Sequence, residues 1–142
     1  MPSTIPESKA MRWTGRVLSA LPALFLLVDG AMKLVKPEIV VKATVDLGYP
    51  ETVILPLGIV LLACTILYLI PQTAVLGAIL LTGYLGGAVA THVRVGHGVF
   101  EMLFPVALGA MLWGGLALRH DRLRDLFLRP TSNPTAAGLA TG

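Results

Sequence analysis

The sequence predicts an all-α membrane protein, a four-helix bundle with a short interfacial helix between helices one and two. Three observations carry that expectation. Four apolar runs, 17–35, 53–70, 74–93 and 99–118, each have about the 20 residues that a helix rising ~1.5 Å per residue needs to cross a ~30 Å hydrocarbon core. Only 13% of the 142 residues are charged and 55% are hydrophobic, with a mean hydropathy of +0.78, whereas soluble domains carry roughly 25% charge. The one long connection, 36–50, has helical spacing of its own between a proline and a glycine. Four spans leave no room for a second domain, so the chain divides into an N-terminal tail (1–12), a transmembrane domain (13–120) and a C-terminal tail (121–142).

The first run follows Lys9, Arg12 and Arg16 and, with Gly30 and Ala31 as small residues near a cleavage point, imitates a secretory leader. Its apolar pattern continues past Asp29 to Val35, however, which favours a spanning helix. Lys36-Pro37-Glu38 then breaks that helix, because proline disfavours helix in the residue before it. From Glu38 to Leu47, Ile39, Lys42/Ala43 and Asp46/Leu47 recur at helical spacing until Gly48 stops them, so a short helix along the membrane surface is predicted. Gly48-Tyr49-Pro50 turns the chain into the second span, and Pro71-Gln72-Thr73 makes the next turn. Pro56 and Pro105 are expected to kink their segments. Cys64 lies mid-span among apolar neighbours and reads as packing, and a lone cysteine forms no internal disulfide. Beyond residue 130 the tail is almost entirely Thr, Ser, Asn, Pro, Ala and Gly, for which disorder is expected.

The charges set the orientation. Lys9, Arg12, Arg16, Arg119, Arg122, Arg124 and Arg129 fall on one side of the four spans, against Lys36, Lys42 and Arg94 on the other. The positive-inside rule therefore places both termini in the cytoplasm, and a bacterial cytoplasmic membrane is the expected location. Trp13, Tyr68 and Trp113 fall near the cytoplasmic ends of their helices, as an interfacial aromatic belt would have them. The net charge of +3 does not point to nucleic acid, because the basic residues flank membrane segments and form no stripe with interleaved aromatics.

The candidate site is a set of polar residues that topology brings to the extracytoplasmic end. Counting helix rise from Arg16, Asp29 lies about 20 Å in and Lys33 about 25 Å; Tyr84, counted from Gln72, lies about 18 Å in. Charges at membrane depth cost roughly 2.5–3.5 kcal/mol each on insertion scales, so those present are candidates for function. Asp29 and Lys33 are four residues apart and share a helical face, either as a self-neutralising pair or as part of a proton or ligand site. On the third span Tyr84, Thr91 and His92 fall in one stripe, with Asp29 the expected partner of the Tyr84 hydroxyl and His92 a candidate proton carrier. Gly83 and Gly87 form a GxxxG that reads as helix packing, as do Ala107, Ala110, Gly114 and Ala117 on the fourth span. Glu101 completes the candidates; it brackets the turn from Val95 to Val99 together with Arg94, which is its expected ion-pair partner, and His97 is expected to be solvated. His92, His97 and a carboxylate match no strong metal-ligand spacing, and no CxxC, nucleotide loop or GxSxG is present.

Gly30-Ala-Met-Lys33-Leu34, Leu47-Gly48-Tyr49-Pro50, Leu57-Gly58 and the run from Gly83 to His92, in this order and spacing, resemble the DoxX-like family of small four-helix membrane proteins over about residues 14 to 118. The resemblance implies a multi-pass protein, some of whose relatives take part in quinone-linked oxidation of sulfur compounds or in thiol and oxidative-stress systems. Lys33, Tyr84 and His92 carry over as family-like positions. With one cysteine the chain lacks the pair that direct thiol–disulfide exchange needs. The expected function is binding of a polar-headed or quinone-like ligand in the outer half of the bundle, with the lipid bilayer, a redox protein or a second copy of the chain as partners. Asp29 and His92 would then handle protons, Lys33 an anionic group, and Tyr84 would orient the ligand. A non-enzymatic scaffold or accessory subunit is the alternative, and a small carrier a further one.

Overall fold

The structure, a computed structural model, describes residues 9–128. Four long helices, α1 (Lys9–Val35), α3 (Ile54–Leu69), α4 (Ala74–Val95) and α5 (Val99–Arg119), stand alongside a short α2 (Glu38–Asp46) and a terminal α6 (Asp121–Leu128), with a single 3-10 turn at Glu51–Val53. Among the described residues there is no strand. The predicted spans agree within two residues except at the start of α1, which is helical from Lys9, well before its apolar run. The long helices close a ring, with α1 against α3 and α5, and α4 against the same two.

Each span buries only 28–33% of its apolar window inside the protein. The outward faces are nevertheless hydrophobic, with Leu24, Val28, Ile59, Ile66, Ile79 and Leu103 all exposed. A soluble bundle would show polar residues there, so the surrounding medium is lipid and the protein is a multi-pass membrane protein. Its interior is built from Leu26, Leu61, Leu81, Leu112 and Leu116, each at most 2% exposed, with Ala23, Ala78, Cys64 and Tyr68.

Small residues set how closely the helices approach. A Cβ on Gly30 of α1 would lie 2.7 Å from Leu62 of α3, and one on Gly58 of α3 would lie 2.7 Å from the Lys33 Cβ of α1. Gly77 meets the backbone of Tyr68 and Gly115 meets Ser19, so side chains there would force α4 off α3 and α5 off α1. Gly83 and Gly87 make no such contact: nothing lies within 4 Å of the position of a Cβ on either. The expected GxxxG packing is therefore absent from the bundle. The predicted small-residue face of α5 is likewise turned outward, with Ala107 and Ala110 exposed, and α5 packs instead through Pro105, Leu108, Leu112, Gly115 and Leu116.

Tyr68 is also not a belt residue. It is 1% exposed, its hydroxyl lying 2.7 Å from the Leu112 carbonyl oxygen and 3.0 Å from Ser19 Oγ. The hydroxyls of Thr65, Thr82 and Thr91 return to carbonyls four residues back, which satisfies them inside lipid without a partner helix. Pro22 and Pro105 lie inside α1 and α5, both buried, while Pro56 falls in the first turn of α3, where its missing N–H interrupts no helical bond. The connection after α1 breaks at Lys36, which takes a left-handed φ of 53° ahead of Pro37, and α2 ends at Gly48 with φ 82°. The expected disorder beyond residue 130 lies outside the described residues.

Candidate functional site

At the end of the bundle away from the two chain ends lies a cavity of about 540 Å³. Asp29, Met32 and Lys33 line it from α1, Leu57 from α3, and Gly83, Tyr84, Gly87, Ala88, Thr91 and His92 from α4. The remaining wall is α2, through Ile39, Val40, Ala43, Thr44 and Leu47, with Tyr49 from the turn that follows. Asp29 and Lys33 of the first span and Tyr84, Thr91 and His92 of the third thus meet in one space. Gly83 and Gly87 belong to it as well, because their missing side chains leave room.

Lys33 Nζ donates to Asp29 Oδ2 at 2.6 Å, one helical turn apart; the lysine side chain is 15% exposed and the aspartate 35%. The close pair neutralises both charges at membrane depth, which their separate burial would not permit. Tyr84 is half-buried and, among the described residues, nothing accepts its hydroxyl proton. The expected bond to Asp29 does not form; that carboxylate is bonded to Lys33.

Thr91 donates to the Gly87 carbonyl at 2.8 Å, so its contact with Tyr49 at 2.9 Å is made by the tyrosine hydroxyl donating to Thr91 Oγ1. Arg94 does not pair with Glu101. Its guanidinium donates to the Leu47 carbonyl at 2.9 Å and covers the Tyr49 ring at 5.8 Å, tying the end of α2 to α4. A Cβ at residue 48 would crowd Arg94 Nη2 at 3.2 Å, so Gly48 serves both the turn and this contact. Glu101 is exposed in the first turn of α5, its carboxylate folded towards Gly98, and does not line the cavity. A carboxylate there complements the positive end of the helix.

His97 is half-buried rather than solvated, and its Nδ1 lies 2.8 Å from Nδ1 of His92. In that contact one Nδ1 donates and the other accepts.

Thr44, Leu47 and Tyr49 line the cavity in addition to the residues expected from the sequence. The helical spacing of residues 38–47 carried the signal: the cavity side of this segment, Ile39, Val40, Ala43, Thr44 and Leu47, shares Ile39, Ala43 and Leu47 with it.

Four lipid-facing helices with a mostly apolar cavity at one end of the bundle define a small polytopic membrane protein. The chain belongs to the DoxX-like family, whose sequence pattern matches residues 17–115. Neither curated proteins nor solved structures provide a match.

Proposed function

We propose that the cavity binds a small amphipathic ligand with a quinone-like head, and that the protein serves as a ligand-holding subunit of a membrane redox assembly. The observation that carries this reading is the meeting of an ion pair, an unengaged tyrosine hydroxyl and a histidine in one otherwise apolar space. Its volume lies within the roughly 300–1,000 Å³ typical of small-molecule sites. Tyr84 supplies a donor for a carbonyl oxygen, Lys33 a positive charge for a reduced, anionic head, and Asp29 and His92 positions from which a proton can be taken or given. The Lys/Arg distribution supports a cavity opening on the extracytoplasmic side, with both termini in the cytoplasm.

A second reading, a scaffold whose charges only neutralise one another, draws on the 2.6 Å Asp29–Lys33 contact. The double substitution Asp29→Asn with Lys33→Met separates the two. Removing both charges keeps the fold stable, since the cost of burying them goes too. On the site reading the variant then loses the thermal stabilisation that decylubiquinone gives the wild-type protein in detergent. A stable double variant that responds to decylubiquinone as wild type does would leave the scaffold reading standing.

A further inference from the structure

The opposite end of the bundle carries a surface that the cavity does not explain. His120 is extended, with φ −122° and ψ 107°, and separates α5 from α6. On α6, Leu123, Leu126 and Phe127 occupy i, i+3 and i+4 and make one apolar face, while Asp121, Arg122, Arg124 and Asp125 fill the others. Leu123 packs against the core and Phe127 meets Trp113 of α5 edge-on at 6.3 Å. Leu126 is still 77% exposed and Phe127 68%. The apolar face therefore starts on the bundle and runs out beyond it, continuous with the lipid-facing wall at Trp113, whose indole N–H is bonded to Thr82.

Charge around this face is mainly positive. Gly15 of α1 lies against Leu118 and Arg119, so the start of α1, with Lys9, Arg12 and Arg16, is at the same end of the bundle as Arg119, Arg122 and Arg124. Six basic residues stand there against Asp121 and Asp125, and Arg124 and Asp121 pair at 2.9 Å. Arg119 lies over the Tyr68 ring at 5.9 Å, which fixes it at the end of the core. An amphipathic helix with aromatic and leucine side chains on one face and arginines beside it suits the headgroup–acyl boundary of an anionic leaflet. Two protruding side chains on an eight-residue helix are too small a patch for a stable protein interface.

We infer that α6 is an interfacial anchor: Leu126 and Phe127 enter the acyl boundary while Arg119 and Arg122 engage the phosphates of anionic phospholipids. The inference does not depend on the cavity having a ligand.

The full-length protein, with Cys64→Ala and a nitroxide on Phe127→Cys, is reconstituted in vesicles of phosphatidylcholine alone or mixed equally with phosphatidylglycerol. The expected result is a label more accessible to oxygen than to a water-soluble nickel chelate, more so with phosphatidylglycerol. A label open to the chelate in both vesicles overturns the inference, and a protein-docking face would show that outcome. In detergent, added phosphatidylglycerol should raise Tm further than phosphatidylcholine does, and Arg119→Gln with Arg122→Gln should abolish the difference. Equal shifts for both lipids in the wild-type protein overturn the phosphate contact. Leu126→Glu with Phe127→Glu should leave the decylubiquinone response at wild-type level, which keeps failure of the anchor distinct from failure of the cavity reading.

Discussion

Tyr68 of α3 places its hydroxyl between Ser19 and the Leu112 carbonyl, whereas Tyr84 of α4 leaves its own without a partner in the cavity wall. The same substitution therefore has opposite consequences. Tyr68→Phe removes a buried hydroxyl's bonds to Ser19 and to the Leu112 carbonyl, leaving the buried serine without this partner, and is expected to cost about 1–3 kcal/mol, read as a lower Tm in detergent. Tyr84→Phe should stay within about 0.5 kcal/mol of wild type in stability while weakening the decylubiquinone response. Sequence position misplaces Tyr68 alone, because a tyrosine near a helix end looks the same whether it meets lipid or residues more than 40 positions away in the chain. Gly83 and Gly87 pose the same problem: a missing side chain serves close packing and open space equally, and only the course of the neighbouring helices decides. Lys36 offers a further residue-scale test. A non-glycine residue at φ 53° is strained, and glycine at this helix end should stabilise the protein by roughly 1 kcal/mol, measured as a rise in Tm for Lys36→Gly.

Among the elements, the four spans were legible because lipid imposes length and apolarity on any helix that crosses it, and α2 was legible because Pro37 and Gly48 bracket it. That α2 forms a wall of the cavity was not legible, since its contacts with α4 depend on tertiary placement. Nor was α6, which is short, carries four charges and was assigned to the tail. The link between α2 and the bundle is concentrated in Arg94, which holds the Leu47 carbonyl and the Tyr49 ring. Replacing it by glutamine should loosen this end of α2, with amide exchange at residues 43–49 about tenfold faster, equivalent to about 1.4 kcal/mol, and exchange in α3 and α5 unchanged. Equal protection in the variant would mean that the Tyr49–Thr91 bond alone holds the wall.

For the whole molecule, the first and last described residues and the cavity lie at opposite ends of the bundle, so orientation decides which compartment the cavity faces. A periplasmic reporter fused after Gly142 should be inactive, and the same reporter inserted between residues 46 and 50 should be active; the reverse pattern would turn the cavity towards the cytoplasm. Polar character at one end was legible from helix rise and charge. That Asp29, Lys33, Tyr84, Thr91 and His92 share a space was legible in the same way, whereas the place of Glu101 outside the cavity was not, because it depends on how the turn before α5 folds. Between the cavity and the far end stands the layer of Leu26, Leu61, Leu81, Leu112 and Leu116, with the Tyr68 hydroxyl locked inside it. A cell that stores energy as a transmembrane proton gradient cannot tolerate a hydrated thread through its membrane, and this leucine layer offers protons no chain of waters to follow. Vesicles containing the purified protein should therefore hold an imposed pH difference as long as protein-free vesicles do, as followed with an entrapped pH-sensitive dye. Leu81→Asp, which would open the layer to water, should shorten that retention.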